Sequence, residues 1–251
     1  MLVAQISDTH ILTSASDHPA AELRADCLRR CVADINQQQP DAVIFNGDTV
    51  QHGQTEEYAR LRDLLAPLNA PLFVIPGNRD DKDALRKAFD DVPFQSDGDF
   101  LHYTVEDYAL RLIAIDSTSP GERKGVFCSE RQSWLHKVLG EQPDRPTLLF
   151  IHHPPFDIDD HYIGGYRRSE EVAALENIVS SHSQVVAMLC GHVHCPVERD
   201  WAGTIAHVMP SVAVDVRKGI DETEARESPI YMLHHFSAEL GLVSEARRVF
   251  A

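Results

Sequence analysis

The sequence predicts an α/β fold whose central sheet is buried and largely parallel. Short runs of Val, Ile, Leu and Phe recur along the chain, and each is followed by polar residues. Stretches with apolar residues at helical spacing separate these runs, and such alternation favours a parallel sheet covered by helices. The hydrophobic fraction of 43% and the charged fraction of 25% are typical of a globular protein. The predicted strands cover 2–6, 42–46, 72–76, 110–116, 147–151 and 185–190.

Four amphipathic segments between the strands are predicted to be helices. Apolar residues recur every three or four positions in the first two, namely Leu23, Cys27, Leu28, Cys31, Val32 and Ile35, and then Tyr58, Leu61, Leu64, Leu65 and Leu68. The other two helices are expected at about 129–139 and 169–181. After residue 200, strands without intervening helices are expected at 204–209, 211–216, 229–236 and 241–250, and this pattern predicts antiparallel pairing. Because no Pro-, Gly- and Ser-rich linker divides the chain, a single domain over 1–251 is expected.

Charge and cysteine content argue against some classes of binding partner and indicate the compartment in which the protein is expected. The chain has 39 acidic and 23 basic residues, a net charge of −16, which argues against nonspecific binding to nucleic acid or to an anionic membrane. No signal peptide and no apolar run long enough to span a bilayer is visible. The five cysteines, Cys27, Cys31, Cys128, Cys190 and Cys195, form no CxxC pair, and free thiols in a reducing compartment are expected. The cytoplasm is therefore the predicted location, with Cys27 and Cys31 as core thiols.

Ligand-type side chains follow the predicted strands where each strand ends. They are Asp8, His10, Asp48, Asn78, His152, His192 and His194. In an open α/β sheet such loops meet at one edge, and Asp, Asn and His suit Zn, Mn, Fe, Co or Ni. Each motif has a simpler interpretation: DxH and GD are common in turns, and His153 is either a packed neighbour or an imidazole that contacts a ligand without binding metal itself. The full series exceeds what one ion accepts, so two metals sharing a carboxylate are predicted.

With these residues identified, the chain resembles the calcineurin-like metallophosphoesterases. The motifs DxH, GD, GN with an acidic residue, H and GHxH occur in family order, and the resemblance covers residues 2 to about 216. "HHPPF" and "LCGHVH" look most like the class III cyclic nucleotide phosphodiesterases and their glycerophosphodiesterase relatives. The resemblance implies a four-layer αββα sandwich. It also implies one metal held by Asp8, His10 and His194, a second held by Asn78, His152 and His192, and Asp48 as the bridge.

The implied reaction is hydrolysis of a small phosphodiester, of the cyclic nucleotide or glycerophosphodiester type. Two metals about 3.5–4 Å apart generate hydroxide at neutral pH and stabilise charge on the phosphoryl oxygens. Fe and/or Mn are expected, and Zn, Co or Ni also suit these ligands. The alternatives are a phosphomonoesterase or nucleotidase on the same site, and a non-catalytic scaffold. A small phosphate ester is the expected partner, and the strands after residue 200 would supply an edge for homo-oligomer assembly.

Arg79 departs from the family pattern, which has histidine at this position. A guanidinium keeps its proton, so Arg79 cannot act as a general acid, but it can donate to phosphoryl oxygens. Asn78, Arg79 and Asp80 are the catalytic candidates, with Asp80 or Asp81 orienting the guanidinium by pairing. The alternative is that Arg79 pairs with these aspartates at the rim and touches no substrate.

Three further features carry expectations. His153 and His207 are candidates for protonating the leaving oxygen in place of the missing histidine. The segment 157–168 is either a substrate-facing flap or a plain surface loop. As a flap it would use Gly164 and Gly165 to move, and Tyr162, Tyr166, Arg167 or Arg168 to contact the ligand. The acidic segment 221–227 is expected to be a solvated turn.

Overall fold

The computed structural model describes residues 1–14, 16–95, 98–158, 165–220 and 227–250. Five helices and eleven strands occur in the described residues. The strands are β1 (Leu2–Ile6), β2 (Ala42–Phe45), β3 (Leu72–Val74), β4 (Tyr103–Val105), β5 (Arg111–Ile115), β6 (Thr147–Ile151), β7 (Val185–Cys190), β8 (Val197–Trp201), β9 (Thr204–Val208), β10 (Ile230–Ser237) and β11 (Gly241–Arg248). The helices are α1 (Ala21–Gln38), α2 (Thr55–Leu65), α3 (Lys82–Ala88), α4 (Ser129–Glu141) and α5 (Ser169–Ser180).

The strands form two mixed sheets. The first has the order β11-β10-β1-β2-β3, and the second has the order β4-β5-β6-β7-β9-β8. β1, β2 and β3 are parallel, as are β5, β6, β7 and β9, while β10, β11, β4 and β8 pair antiparallel. Six of these seven parallel strands are those that the apolar runs predicted, namely β1, β2, β3, β5, β6 and β7.

Side-chain alternation along the second sheet shows how the layers pack. On β6, Leu148 and Phe150 join the cluster that contains the first sheet, α1 and α2, whereas Leu149 and Ile151 pack with α4 and α5. Both faces of this strand are therefore buried, one by the other sheet and one by helices. The result is two packed sheets flanked by helices, and the predicted αββα architecture is confirmed. Cys27 and Cys31 lie on the buried face of α1 and belong to the core, as predicted.

The expectation of four antiparallel strands after residue 200 is partly wrong. β9 pairs parallel with β7, and the unpredicted strand β8 lies antiparallel to it. Residues 211–216 form bends and turns instead of a strand. Here Ser211 Oγ donates to the carbonyl of Asp8 at 2.7 Å and Val212 N donates to the carbonyl of Ser7 at 3.1 Å, so the segment bonds to a loop that follows β1. Only β10 and β11 form the predicted antiparallel pair.

The topology places the carboxyl ends of the parallel strands at one edge of the molecule. β1, β2 and β3 from the first sheet and β6 and β7 from the second are followed there by polar loops. Across the described residues, no helix combines the length and apolar character that crossing a membrane requires.

Candidate metal centre

Strained backbone conformations concentrate where the polar loops meet. Seven non-glycine residues in the described part of the chain have positive φ, and five of them are predicted ligands: Asp8 (55°), His10 (47°), Asp48 (45°), His192 (74°) and His194 (63°). Such conformations are costly for residues with a Cβ and persist only where the surroundings enforce them. Close backbone approach accompanies this strain, since a Cβ on Gly77 would lie 2.1 Å from Asp48 N. The fold therefore holds these side chains in one fixed arrangement.

The first ligand group consists of Asp8, His10 and His194. His10 Nε2 lies 3.1 Å from His194 Nε2, and His194 Nε2 lies 3.3 Å from Asp8 Oδ1. Asp8 is fully buried, and its carboxylate accepts hydrogen bonds from Ser7 Oγ at 2.5 Å and from His192 N at 3.0 Å. The ring and carboxylate atoms point into one small volume between the loops that follow β1 and β7.

The second ligand group consists of Asn78, His152 and His192. His152 Nε2 lies 3.3 Å from Asn78 Oδ1 and 3.2 Å from His192 Nδ1. Asp48 lies between the two groups. Its Oδ1 atom is 3.5 Å from His152 Nε2, and its Oδ2 atom is 3.8 Å from His10 Nε2. One carboxylate thus faces both groups with different oxygens.

Hydrogen bonds at the outer ring nitrogens show that the inner ones carry lone pairs. His152 Nδ1 donates to the carbonyl of Asn46 at 2.6 Å, and His194 Nδ1 donates to the carbonyl of Val216 at 3.1 Å. A carbonyl can only accept, so in the neutral rings that metal binding requires, each Nε2 atom carries a lone pair directed at a further acceptor, Asn78 Oδ1 or Asp8 Oδ1. Lone pairs converging at such distances repel unless a cation lies among them. The donor set therefore fits metal ions.

Burial favours the neutral form of His10 and His192, which metal binding requires. At His194 burial also acts to lower the pKa, but the charge of Asp8 and the hydrogen bonds to Asp8 and Val216 outweigh it and raise that pKa. Burial lowers the pKa of His10 to about 3, and the neighbouring His194, Arg24 and His152 add to this effect against the attraction of Asp8. Burial also holds the pKa of His192 well below its usual value. Burial acts to raise the pKa of Asp8, but the surrounding His194, His152 and His10 outweigh it and leave that pKa below its usual range.

His153 lies beside the second group but has no free ring nitrogen. Its Nδ1 atom is 2.8 Å from Ser117 Oγ, and its Nε2 atom donates to the carbonyl of Arg123 at 3.1 Å. Burial holds its pKa well below the usual value. Of the two alternatives, the structure favours His153 as a packed neighbour. Since both of its ring nitrogens are engaged, the prediction that it protonates the leaving oxygen is not supported.

The prediction that His207 substitutes for the missing histidine is wrong. His207 lies on β9, with Nδ1 3.3 Å from Glu198 Oε2 and Nε2 3.3 Å from Ser244 Oγ on β11. It does not belong to the described residues that line the site cavity.

Arg79 is not paired with its neighbouring aspartates. Its backbone N donates to Asp48 Oδ1 at 2.7 Å, and its guanidinium makes no hydrogen bond or ion pair with any described residue. The Asp81 carboxylate instead caps α3 by accepting from Ala84 N at 2.9 Å. The expectation that Asp80 or Asp81 orients the guanidinium, and the alternative that Arg79 only forms rim ion pairs, are both wrong.

Asp80 has a different set of contacts. Its carboxylate accepts from Thr49 N and Oγ1, Val50 N, Tyr58 OH and Gly77 N, at 2.5–3.4 Å. Burial raises its pKa to about 6, and the charge of Asp48 adds to this rise while the hydrogen bonds oppose it. Asp80 thus joins the loop that carries Asp48 to the loop that carries Asn78.

A cavity of about 890 Å³ opens over the two ligand groups. Its described lining includes the cationic residues Arg79, Arg123, Lys124 and Lys218 and the apolar residues Ile158, Val193, Pro196 and Val197. Four cations around one opening make this region locally positive, although the chain as a whole is acidic.

The candidate flap is only partly described. Ile158 and Gly165 line the cavity, while 159–164, including Tyr162 and Gly164, lie outside the described residues. Tyr166 is buried and donates from its hydroxyl to the carbonyl of His153 at 3.1 Å, so it supports the site from behind. The exposed Arg167 pairs with Glu122 at 3.3 Å. Most of the predicted solvated turn, 221–226, also lies outside the described residues.

Sequence reasoning missed the residues that hold the ligands in place. Arg24 of α1 donates to both oxygens of Asp215, at 2.7–3.1 Å, and to the carbonyl of His10 at 3.1 Å. Asp215 precedes Val216, whose carbonyl fixes the ring of His194. Asn46, which immediately precedes the GD motif, is a second such residue. Two local signals pointed to these residues. Asn46 is a polar residue next to the GD motif, and Arg24 is a polar residue on the apolar face of α1.

Comparison with known proteins agrees with this geometry. The sequence model of the calcineurin-like phosphoesterases matches residues 1–196. The chain belongs to this family. The predicted family is thereby confirmed, as is the prediction that the chain is a phosphoric ester hydrolase. Family membership and the converging donors together indicate a metal-dependent enzyme.

Three curated relatives cover most of the chain. A probable glycerophosphodiester phosphodiesterase GpdQ of Arcobacter nitrofigilis is 34% identical over 97% of this chain and 92% of its own length. A probable cyclic nucleotide phosphodiesterase of Rhodopseudomonas palustris is 32% identical over 76% of this chain and 71% of its own. The 3′,5′-cyclic adenosine monophosphate phosphodiesterase CpdA of Pseudomonas aeruginosa is 27% identical, over 92% and 84%.

Among solved structures, a dimetal phosphatase from Danio rerio superposes with a TM-score of 0.72, covering 100% of this chain and 96% of its own. At 15% identity this likeness shows a shared fold.

Proposed function

We propose that the protein hydrolyses small phosphodiesters at a site that holds two transition-metal ions. The observation that carries this proposal is the division of the donors into two groups that share Asp48, with one of its oxygens facing each group. Names of relatives support glycerophosphodiesters and cyclic nucleotides as the candidate substrates. A cavity of about 890 Å³ is large enough to hold both substituents of such a diester.

The proposed ligands follow the observed grouping. Asp8, His10 and His194 would hold one ion, Asn78, His152 and His192 the other, and Asp48 would bridge them. Bound there, the ions would activate water as a nucleophile at neutral pH and stabilise negative charge on the phosphoryl oxygens. Nitrogen and oxygen ligands of this kind accept Fe and Mn, which we expect, and also Zn, Co or Ni.

Asn78 and Arg79 would contact the phosphoryl group directly. The Oδ1 atom of Asn78 faces His152, which leaves its amide group without an acceptor among the described residues. The guanidinium of Arg79 lines the same cavity without an internal partner. Preorganised donors of this kind stabilise the charge that develops on equatorial oxygens in the transition state. Asp80 would act only by positioning the loop that carries both residues.

No described histidine is placed to protonate the leaving oxygen. Both ring nitrogens of His153 are engaged, and His207 lies outside the cavity. We therefore assign no protein general acid and expect water to supply the proton. Since a poor leaving group depends most on general-acid catalysis, turnover should rise steeply as the pKa of the leaving alcohol falls.

The test compares diester and monoester hydrolysis after metal reconstitution. Metal-free protein is loaded with Mn²⁺ or Fe²⁺, the bound equivalents are counted, and kcat/KM is measured for bis(p-nitrophenyl) phosphate and p-nitrophenyl phosphate. We expect two equivalents and a higher kcat/KM for the diester. A panel of glycerophosphodiesters and cyclic nucleotides then ranks the natural classes.

The control is Asp48→Asn, which weakens the bridge and should lower kcat/KM by about 1000-fold, or about 4 kcal/mol. A monoester preference would replace the proposal with a phosphomonoesterase. A protein that binds no metal and hydrolyses neither ester would favour a non-catalytic scaffold.

A further inference from the structure

Asn46 lies at the point where the two sheets meet beneath the metal centre. It follows β2 and is fully buried. Its side-chain amide donates to the carbonyl of Ile151 at 3.1 Å and to the carbonyl of Leu189 at 2.9 Å. Ile151 is the last residue of β6, immediately before His152, and Leu189 lies on β7 three residues before His192. One side chain of the first sheet thus links the two strands of the second sheet that deliver these histidines.

The orientation of this amide is fixed from its other side. Gln5 Nε2 on β1 donates to Asn46 Oδ1 at 3.1 Å and to the carbonyl of Cys190 at 3.1 Å. Gln5 Oε1 in turn accepts from Nε2 of the buried His234 at 2.9 Å, and His234 Nδ1 accepts from Ser244 Oγ at 2.7 Å. Because the carbonyls of Ile151 and Leu189 only accept, the two Nδ2 protons of Asn46 must point towards them.

The backbone of Asn46 also fixes a ligand tautomer. Its carbonyl accepts from His152 Nδ1 at 2.6 Å, so His152 Nε2 keeps its lone pair directed at Asn78, His192 and Asp48. Partners that orient a ligating imidazole in this way raise metal affinity, because the ring does not have to reorganise on binding.

We propose that Asn46 is a positioning residue whose side chain, by clamping β6 to β7, sets the separation of His152 and His192 and thereby the metal affinity of the second ligand group. This inference rests on the proposed dimetal function. It assigns Asn46 no contact with substrate. Its effect should be confined to the second group, because Asp8, His10 and His194 are held by contacts with Ser7, Arg24 and Val216.

The test uses Asn46→Leu, which removes the two donors while keeping a side chain of similar size. Binding of Mn²⁺ to metal-free protein is followed by titration calorimetry. We expect one equivalent to bind about 10–100-fold more weakly and the other to be unchanged. Because Asn46→Leu should weaken metal binding without altering the groups that contact substrate, a saturating Mn²⁺ concentration should restore kcat.

The matched control is Gln184→Met. Gln184 is also a buried amide, and its Nε2 atom donates to the carbonyl of Leu139 at 2.9 Å. Gln184 immediately precedes β7 and therefore lies at the opposite end of that strand from His192. It should lower the urea midpoint of unfolding as Asn46→Leu does, yet leave both Mn²⁺ affinities unchanged.

A second variant covers the case in which Asn46→Leu fails to fold. Gln5→Met leaves Asn46 in place but removes the donor that fixes its amide, and it should weaken the same equivalent by about threefold to tenfold. The positioning role is overturned if the foldable variant binds both equivalents normally, or if Gln184→Met weakens binding equally. Wild-type protein that binds fewer than two equivalents overturns the proposed function itself, and this inference with it.

Discussion

The two ligand groups are held by different physical means. The first depends on an ion pair, in which Arg24 from α1 binds Asp215 and the carbonyl of His10. The second depends on the neutral amide of Asn46, which binds two strand carbonyls. Burial accounts for the difference. Asp215 keeps 23% of its side chain exposed, so the ion pair avoids part of the desolvation penalty, whereas Asn46 is fully buried where charge would be costly.

This difference shows how a shared centre can combine two kinds of support. The ion pair joins segments that are 191 residues apart in sequence and fixes a turn. The amide joins strands that the sheets already hold in register. The first group should therefore respond to changes at the rim of the fold, and the second to changes in its core.

The largest expected effect comes from breaking the support of the first group. Arg24→Met removes the guanidinium and leaves Asp215 and the carbonyl of His10 without their donor. Since both His10 and, through Val216, His194 depend on this contact, we expect one Mn²⁺ equivalent to weaken by about 100-fold. Calorimetric titration of the metal-free variant measures it.

The control for Arg24→Met lies on the same helix. Glu22→Gln removes an ion-pair partner of Arg60, but Glu22 is 70% exposed, and such pairs contribute little. Its Mn²⁺ affinities should match those of the wild type. If Arg24→Met and Asn46→Leu weaken the same equivalent, the two supports are not independent and the comparison fails.

Arg79 should affect neither group. Arg79→Ala removes a donor that faces the cavity while keeping the backbone N–H that binds Asp48. We expect kcat on phosphodiesters to fall by about 30-fold, a smaller loss than for a fully enclosed donor because Arg79 is partly exposed. Both Mn²⁺ affinities should be unchanged. Arg79→Lys should recover part of the loss, and wild-type kinetics in Arg79→Ala would rule out a contact with phosphate.

Much of the fold and the candidate ligands could be predicted because they follow from local pattern. A buried parallel strand needs an apolar run, and its loop carries the ligand at a fixed offset, as at Asp48 and His152. The supports could not be found in this way. Arg24 is a polar residue on an apolar helix face, but local pattern does not show that it binds Asp215 far along the chain.

The turn at 211–216 is a case in which local pattern predicted a strand that the fold does not contain. "SVAVDV" has valine at every second position as a strand does, but Val212 N and Ser211 Oγ donate to carbonyls of the loop after β1 instead of to a neighbouring strand. Arg79 is a second case. Two aspartates follow it directly, yet Asp80 binds donors from two other segments and from its own loop, and Asp81 caps α3. Tertiary contacts decided both outcomes.

The smallest expected effect concerns an ion pair that touches none of the candidate ligands. Lys82 begins α3, just after the Asn78 loop, and its Nζ atom lies 2.7 Å from the fully buried Asp116. Burial acts to raise the pKa of Asp116, but the charges of Lys82 and Arg131 outweigh it and lower that pKa below its usual value. A carboxyl whose pKa is lower in the folded than in the unfolded state stabilises the fold above its unfolded pKa.

The sign of the pH dependence follows from this shift. The stabilisation should be fully present above about pH 4, the unfolded value for aspartate, and should be lost as the pH falls through the lower folded value. Lys82→Met should cost about 1–2 kcal/mol of unfolding free energy at neutral pH. The gap from the wild type should narrow below about pH 4, where Asp116 becomes protonated first in the unfolded chain, and should close as the pH falls through the lower folded pKa. Urea unfolding across this pH range measures both, and a constant gap would show that Lys82 acts through packing alone. Because no ligand touches this pair, Mn²⁺ affinity should not change, in contrast to Arg24→Met.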